Sequence, residues 1–229
     1  MMTLQASEDK MLLFLKPDAV VRRYVGARIL KEVTKLDPTI SVFKNLSVPK
    51  NFLAETHYRA HQNKFFFSWL LDYVSVGQVL VLVIEGEGLV SKVRSLLGPT
   101  QPEKAAATSP SSLRARYGIF GGVNCAHASE SKEASAEEVI RWKEKFALVT
   151  DPDAKRKVQE YIQKYIDYPM IDSMRYRELS EEITSKTMGP LEGKEAFQRL
   201  LRVENPTGDN TVINNLADVM VRNCLLPSR

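Results

Sequence analysis

Val79-Leu80-Val81-Leu82-Val83-Ile84 is an almost uninterrupted apolar run, which predicts a strand covered on both faces. Residues 11–15 are also short and apolar, and Lys16-Pro17-Asp18 closes them, the profile of a buried strand ending in a polar loop. Between these two, Val25, Ile29, Leu30, Val33 and Leu36 recur at helical period, and residues 39–48 are β-rich. Pro49 then opens a helix whose period runs through Phe52, Leu53 and Tyr58, followed by a strongly apolar helix over residues 65–74. Residues 89–97 predict a helix, 98–112 a loop rich in Pro, Ser and Ala, 124–126 the last core strand and 134–146 a closing helix. Past Thr150-Asp151-Pro152-Asp153, a linker or helix cap, residues 154–168, 175–186, 192–203 and 211–226 predict helices separated by Pro/Gly breaks. The order is βαββαβ with extra helices, which fits an α/β (α+β) ferredoxin-like split sandwich with an antiparallel sheet. We divide the chain into a tail (1–9), a domain (10–147) and a helical extension (148–229).

At 229 residues and 44% apolar content, the chain has room for a real core and for one domain plus an extension, or two small domains. No apolar run is long enough for a transmembrane helix, and residues 1–10 lack the apolar region of a secretory signal. Cys125 and Cys224 lie too far apart for a metal knuckle and read as free thiols in a reducing compartment. A net charge of +4 with pI about 9.0 suits polyphosphate and does not establish nucleic-acid binding. No zinc-finger spacing, basic-region helix or aromatic RNA-binding signature accompanies it.

His127, placed between an amide (Asn124) and a hydroxyl (Ser129) with Glu138 following, is a candidate nucleophile. Other residues read more plainly on their own. Phe65, Phe66 and Leu70 have core spacing, and His57 with His61 forms a helix-face pair without ligand function. Cys125, two residues before His127, would share its strand face as a small packing residue. The two common phosphate loops are absent: Gly189 to Lys194 has the wrong spacing, and Gly86-Glu87-Gly88 lacks a third glycine.

Several polar motifs stand in one order: Lys16-Pro17-Asp18-Ala19-Val20, Arg22, Val25-Gly26, His57-Tyr58, Phe65-Phe66 and Val83-Ile84-Glu85-Gly86. Arg94 to Thr100, Ser112-Leu113-Arg114, Asn124 to Ser131, Glu138 and Trp142 continue it. Over about residues 10–147 this order resembles the nucleoside diphosphate kinases. The resemblance implies transfer of a γ-phosphoryl from a nucleoside triphosphate to a diphosphate by a ping-pong route through a phosphohistidine at His127. It implies that Glu138, held by Ser129, orients His127. Arg94 and Arg114 would clamp terminal phosphates with Thr100 donating a hydroxyl bond. Lys16 and Asn124 would contact sugar and transferring phosphate, Tyr58 would lie beside His127, and Phe66 would stack on the base. Mg²⁺ would bridge phosphate oxygens, with Glu130 reaching it through water.

Ala19 and Ala128 stand where glycines are usual in the family, Glu130 where aspartate is, Arg23 where glycine is, and His61 where leucine often is. The resemblance is closer to the divergent group, whose ciliary members offer an alternative: a weakly active nucleotide-binding scaffold in cilia or flagella. A cytoplasmic homo-oligomer is the first expectation, with residues 148–229 serving assembly or a protein partner; the apolar stripe of Leu216, Val219, Met220 and Leu225 must be buried against the domain itself, a second subunit or another protein.

Overall fold

The computed structural model describes residues 9–226, so residues 1–8 of the expected tail lie outside the described residues and Asp9 already belongs to a strand. The order is β1 (Asp9–Leu15), α1 (Pro17–Val21), α2 (Arg23–Thr34), β2 (Thr39–Ser47) and the short α3 (Lys50–Phe52). α3 widens into a turn over Leu53–His57; then come α4 (Phe67–Ser75), β3 (Gln78–Gly86), α5 (Leu89–Leu97), α6 (Pro102–Thr108) and α7 (Leu113–Tyr117). β4 (Ala126–Ala128) and α8 (Lys132–Phe146) close the domain. The extension is α9 (Ala154–Tyr165), α10 (Ser173–Thr184), α11 (Pro190–Glu204) and α12 (Asn210–Cys224). No described helix is long and apolar enough to cross a membrane.

The four strands form an antiparallel sheet in the order β2-β3-β1-β4, the expected ferredoxin-like arrangement. Side chains alternate along each strand, so the apolar run of β3 divides between two cores. Val79, Val81 and Val83 join Leu12 and Phe14 on one face, while Leu80, Leu82 and Ile84 join Met11, Leu13 and Leu15 on the other. That is why β3 shows no polar alternation.

Three local expectations need correction. Residues 102–108, expected as loop, form α6: Pro102 sits where its missing N–H is harmless, and Ala105 is buried. Pro17 and Asp18, expected in a polar loop after β1, instead open α1 for the same reason, with Pro17 in its first turn. The last strand is Ala126–Ala128 and not 124–126, which puts His127 in its middle.

The extension wraps both faces of the sheet. α9 adds Ala154 and Val158 to the core containing Leu13, and α10 to α12 add Tyr176, Phe197, Leu201, Leu216 and Met220 to the core containing Phe14. Each of the larger apolar side chains among them contributes roughly 1.5–3 kcal/mol on burial, and Ala154 less. Of the apolar stripe, Leu216, Val219 and Met220 are therefore covered by their own chain, the first of the three expected outcomes, while Leu225 stays 51% exposed. Polar contacts cross the same boundary: Trp69 Nε1 donates to Val219 O at 2.8 Å, and Arg177 donates to the carbonyls of Ala115 and Gly118. Deepest is Arg22, fully buried, whose Nε meets Glu204 Oε2 at 2.8 Å and whose Nη1 donates to Tyr117 O.

Candidate active site

His127 lies opposite Phe14 in the β1–β4 register, and its ring stacks on Phe14 with centroids 4.8 Å apart. Its Nε2 is 2.9 Å from Glu138 Oε2, and Ser129 Oγ donates to the same oxygen at 2.6 Å. Glu138 is delivered by α8, which begins where Ser131 accepts from Ala134 N. Burial alone would raise the carboxyl of Glu138. The charge of His127 and the hydrogen bonds from His127 and Ser129 outweigh it and hold the group below the usual carboxylate range. An ionised Glu138 can only accept, so Nε2 of His127 carries a proton, and in the neutral imidazole the lone pair is on Nδ1.

Lys16 leaves the end of β1, where its N–H donates to Cys125 O, and its Nζ donates to Asn124 Oδ1 at 2.7 Å. Asn124 in turn donates to Thr100 O at 2.8 Å. Burial, then the nearby charge of Arg114, pulls Lys16 down to about 7. Arg114 donates to Gly98 O at 2.9 Å, Ala126 O at 2.8 Å and Asn124 O at 3.3 Å. Burial, the larger influence, and Arg94 draw it down to about 10. Gly98 is required here: its φ is +77°, and a Cβ would stand 2.3 Å from Ser112 Oγ at the start of α7. Arg94 is on the exposed side of α5, with Nη1 3.4 Å from Ser129 O.

These residues line one cleft of about 1680 Å³. Lys16, Arg94, Thr100, Arg114, Asn124, His127 and Glu138 share it with Tyr58, His61, Phe66 and Glu130. Ser129 lies behind it, fully buried. Every residue expected at the site is thus brought together. The extension also reaches the cleft, through Arg177, Glu181 and Asn223.

Two readings fail. His57 is no idle helix-face residue: its ring lies 4.4 Å from that of His127, nearly perpendicular, and Trp142 Nε1 donates to its Nδ1 at 3.2 Å. Burial first, then the charges of His127 and Lys16, push it well below the ordinary histidine value. The wide turn over Leu53–His57 breaks the regular helical period, so periodicity mis-assigned its face. Cys125 does not share the face of His127. Its φ of +71° turns it into the opposite core beside Leu13, and Asp18 Oδ2 accepts its N–H at 3.1 Å. A cysteine gives no sign of that backbone state in sequence.

His57, His127 and Glu138 offer three metal-ligand atoms within 4.8 Å of one another. Two imidazoles suit Mg²⁺ poorly, and the Glu138 oxygen is already engaged. The exposed carboxylate of Glu130 in the same cleft suits a hydrated Mg²⁺ better.

The family model for nucleoside diphosphate kinase matches residues 9–148. The nucleoside diphosphate kinase of Clostridium perfringens is 37% identical over 134 residues, 58% of this chain and 90% of that protein. The cytosolic nucleoside diphosphate kinase of Dictyostelium discoideum is 34% identical over 151 residues, 66% of this chain and 94% of that one. The solved structure of the Aquifex aeolicus nucleoside diphosphate kinase aligns with TM-score 0.55 at 32% identity, over 59% of this chain and 94% of that one.

Proposed function

This chain belongs to the nucleoside diphosphate kinase family, and from that premise we propose that it moves a γ-phosphoryl group by a ping-pong route through His127. It is a phosphotransferase by family. The observation that carries the finer mechanism is the Glu138–His127 pair, which holds the proton on Nε2 and leaves Nδ1 nucleophilic in a cation-lined cleft.

The Nδ1 lone pair attacks the γ-phosphorus of a nucleoside triphosphate, and the bond from phosphorus to the bridging oxygen breaks, its electrons leaving with the diphosphate. The imidazole keeps its Nε2 proton, and ionised Glu138 stabilises the positive ring. A terminal oxygen of the second diphosphate then attacks phosphorus, and the N–P electrons return to Nδ1. Arg94 and Arg114 neutralise the transferring charge, Thr100 donates its hydroxyl, and Lys16 and Asn124 hold sugar and phosphate. Phe66 offers a π face to the base, which accepts purines and pyrimidines alike. Mg²⁺ held by phosphate oxygens, with Glu130 touching its water, would supply charge neutralisation and orientation.

Incubation with labelled ATP should yield an acid-labile, base-stable adduct that His127→Ala abolishes. An adduct that survives acid, or that persists in the variant, refutes the assignment. Self-association and a cytoplasmic site of action belong to the same proposal, and sedimentation checks the first. No observation favours the inert-scaffold alternative.

A further inference from the structure

Among the buried polar atoms of the described residues, two without a hydrogen-bond partner belong to adjacent cleft residues: Tyr58 OH and His57 Nε2. Tyr58 was expected beside His127; His57 was not. We propose that His57 is a further catalytic residue, whose neutral Nε2–H donates to an oxygen of the phosphoryl group carried on His127. This rests on the phosphohistidine reading above.

The tautomer follows from the neighbour. Trp142 Nε1 can only donate, and it lies 3.2 Å from His57 Nδ1, so Nδ1 is the acceptor. A neutral imidazole then carries its one proton on Nε2, the atom that is out of reach of water and has no partner. The surroundings keep the ring neutral: burial disfavours a second proton, and so do the charges of His127 and Lys16. The same tautomer argues against a metal bridging His57 and His127. A metal on Nε2 would move the proton to Nδ1, against the indole donor.

The ring is also close to the reacting residue. The rings of His57 and His127 are 4.4 Å apart and nearly perpendicular, both residues line the cleft, and Nε2 of His57 bonds to nothing in the protein. An unmet buried donor is unfavourable in the free protein and is relieved when an acceptor enters. Phosphoryl oxygens held on Nδ1 of His127 are such acceptors. Neutrality matters here, because His127 becomes positive when phosphorylated. A cationic donor beside it would oppose that charge, whereas an N–H dipole stabilises the phosphoryl oxygens without doing so.

The test is single-turnover phosphorylation of the full chain by ATP, followed by dephosphorylation with GDP. His57→Phe keeps the ring and removes the donor. It should slow both half-reactions on the order of 100-fold, the scale for one lost oxyanion donor, and leave the affinity for ADP unchanged. His57→Gln restores an amide N–H near the Nε2 position and should recover most of the loss. A wild-type rate in His57→Phe overturns the proposal. So do equally slow, equally stable Phe and Gln variants, which would mean that ring packing is the whole role. Should His57→Phe fail to fold, Trp142→Phe decides: without the indole donor the Nε2–H tautomer loses its lock and the rate should fall several-fold, and an unchanged rate overturns the proposal. If the wild-type chain forms no phosphohistidine, the parent reading falls and takes this one with it; a wild-type rate in His57→Phe removes only this one.

Discussion

Arg22 and Arg114 are both buried, yet Arg22 ends on a carboxylate and Arg114 on carbonyls alone. Around Arg22, Glu204, Tyr176 and Ser173 close a network in which Glu204 also accepts from the Ile171 N–H and the Tyr176 hydroxyl. Burial works against the Arg22 charge, but Glu204 outweighs it and raises the group above its ordinary value. Around Arg114 the balance is reversed: burial and Arg94 lower it, and Lys16 beside it is lowered too. A buried cation with its counter-charge inside the protein holds a fold together. One without a counter-charge is held ready for an anion from outside, and a triphosphate supplies it.

The strongest way to break this contrast is to remove Glu204. Leaving Arg22 buried and uncompensated should cost about 3–5 kcal/mol, read as the unfolding free energy of Glu204→Ala in urea. Truncation near Thr150 removes Glu204, the Val219 carbonyl that accepts from Trp69 and the apolar faces of α10 to α12 together. The truncated chain should then be unfolded or insoluble. A Glu204→Ala variant as stable as wild type would show that the network is ornamental.

Arg114→Ala should behave in the opposite sense. Phosphoryl transfer should lose on the order of 2–4 kcal/mol of transition-state stabilisation, while unfolding free energy changes by less than in Glu204→Ala. Steady-state kinetics alongside urea titration separates the two, and normal turnover would remove Arg114 from the phosphate clamp.

The catalytic side of this contrast was legible in the chain, because its residues sit in short ordered motifs from Lys16 to Glu138. The four extension helices were legible as periods, but their docking was not. Arg22 and Glu204 are 182 residues apart, and nothing in either neighbourhood announces the other. His57 was misread because a wide turn at Leu53–His57 breaks the period that would have placed it. Cys125 was misread because its positive φ has no side-chain signature. α6 hid inside a Pro/Ser/Ala-rich stretch whose composition suggests a loop until Pro102 is recognised as a helix start.

Lys16 makes a smaller prediction, in pH. In the folded chain burial and the neighbouring Arg114 charge pull it down to about 7, from the ordinary lysine value of 10.5. Between those values the unfolded chain binds the extra proton, so this group makes stability rise with pH, by at most about 1.4 kcal/mol per unit. The slope should vanish in Lys16→Met. Nucleotide phosphate restores the charge, so binding at pH 8.5 should take up a proton, seen as a buffer-dependent heat in calorimetry, and little uptake should occur near pH 6. Uptake that is equal at both values would show that Lys16 is already charged in the empty cleft.

The smallest effect belongs to one of the extension's exposed ion pairs. Arg222 Nη1 of α12 meets Asp72 Oδ2 of α4 at 2.7 Å, with Lys50 on the other carboxylate oxygen. Geometrically it resembles Arg22–Glu204, since both tie the extension to the kinase fold through a guanidinium and a carboxylate. Arg222 is 46% exposed, however, where Arg22 is fully covered, so water already serves both charges and ordering the long side chain opposes the gain. Asp72 also keeps Lys50 when Arg222 is removed. Arg222→Ala should therefore change unfolding free energy by less than about 1 kcal/mol, and high salt should shrink the difference further. If it cost as much as Glu204→Ala, burial would not be what separates the two anchors, and the contrast between Arg22 and Arg114 would need another cause.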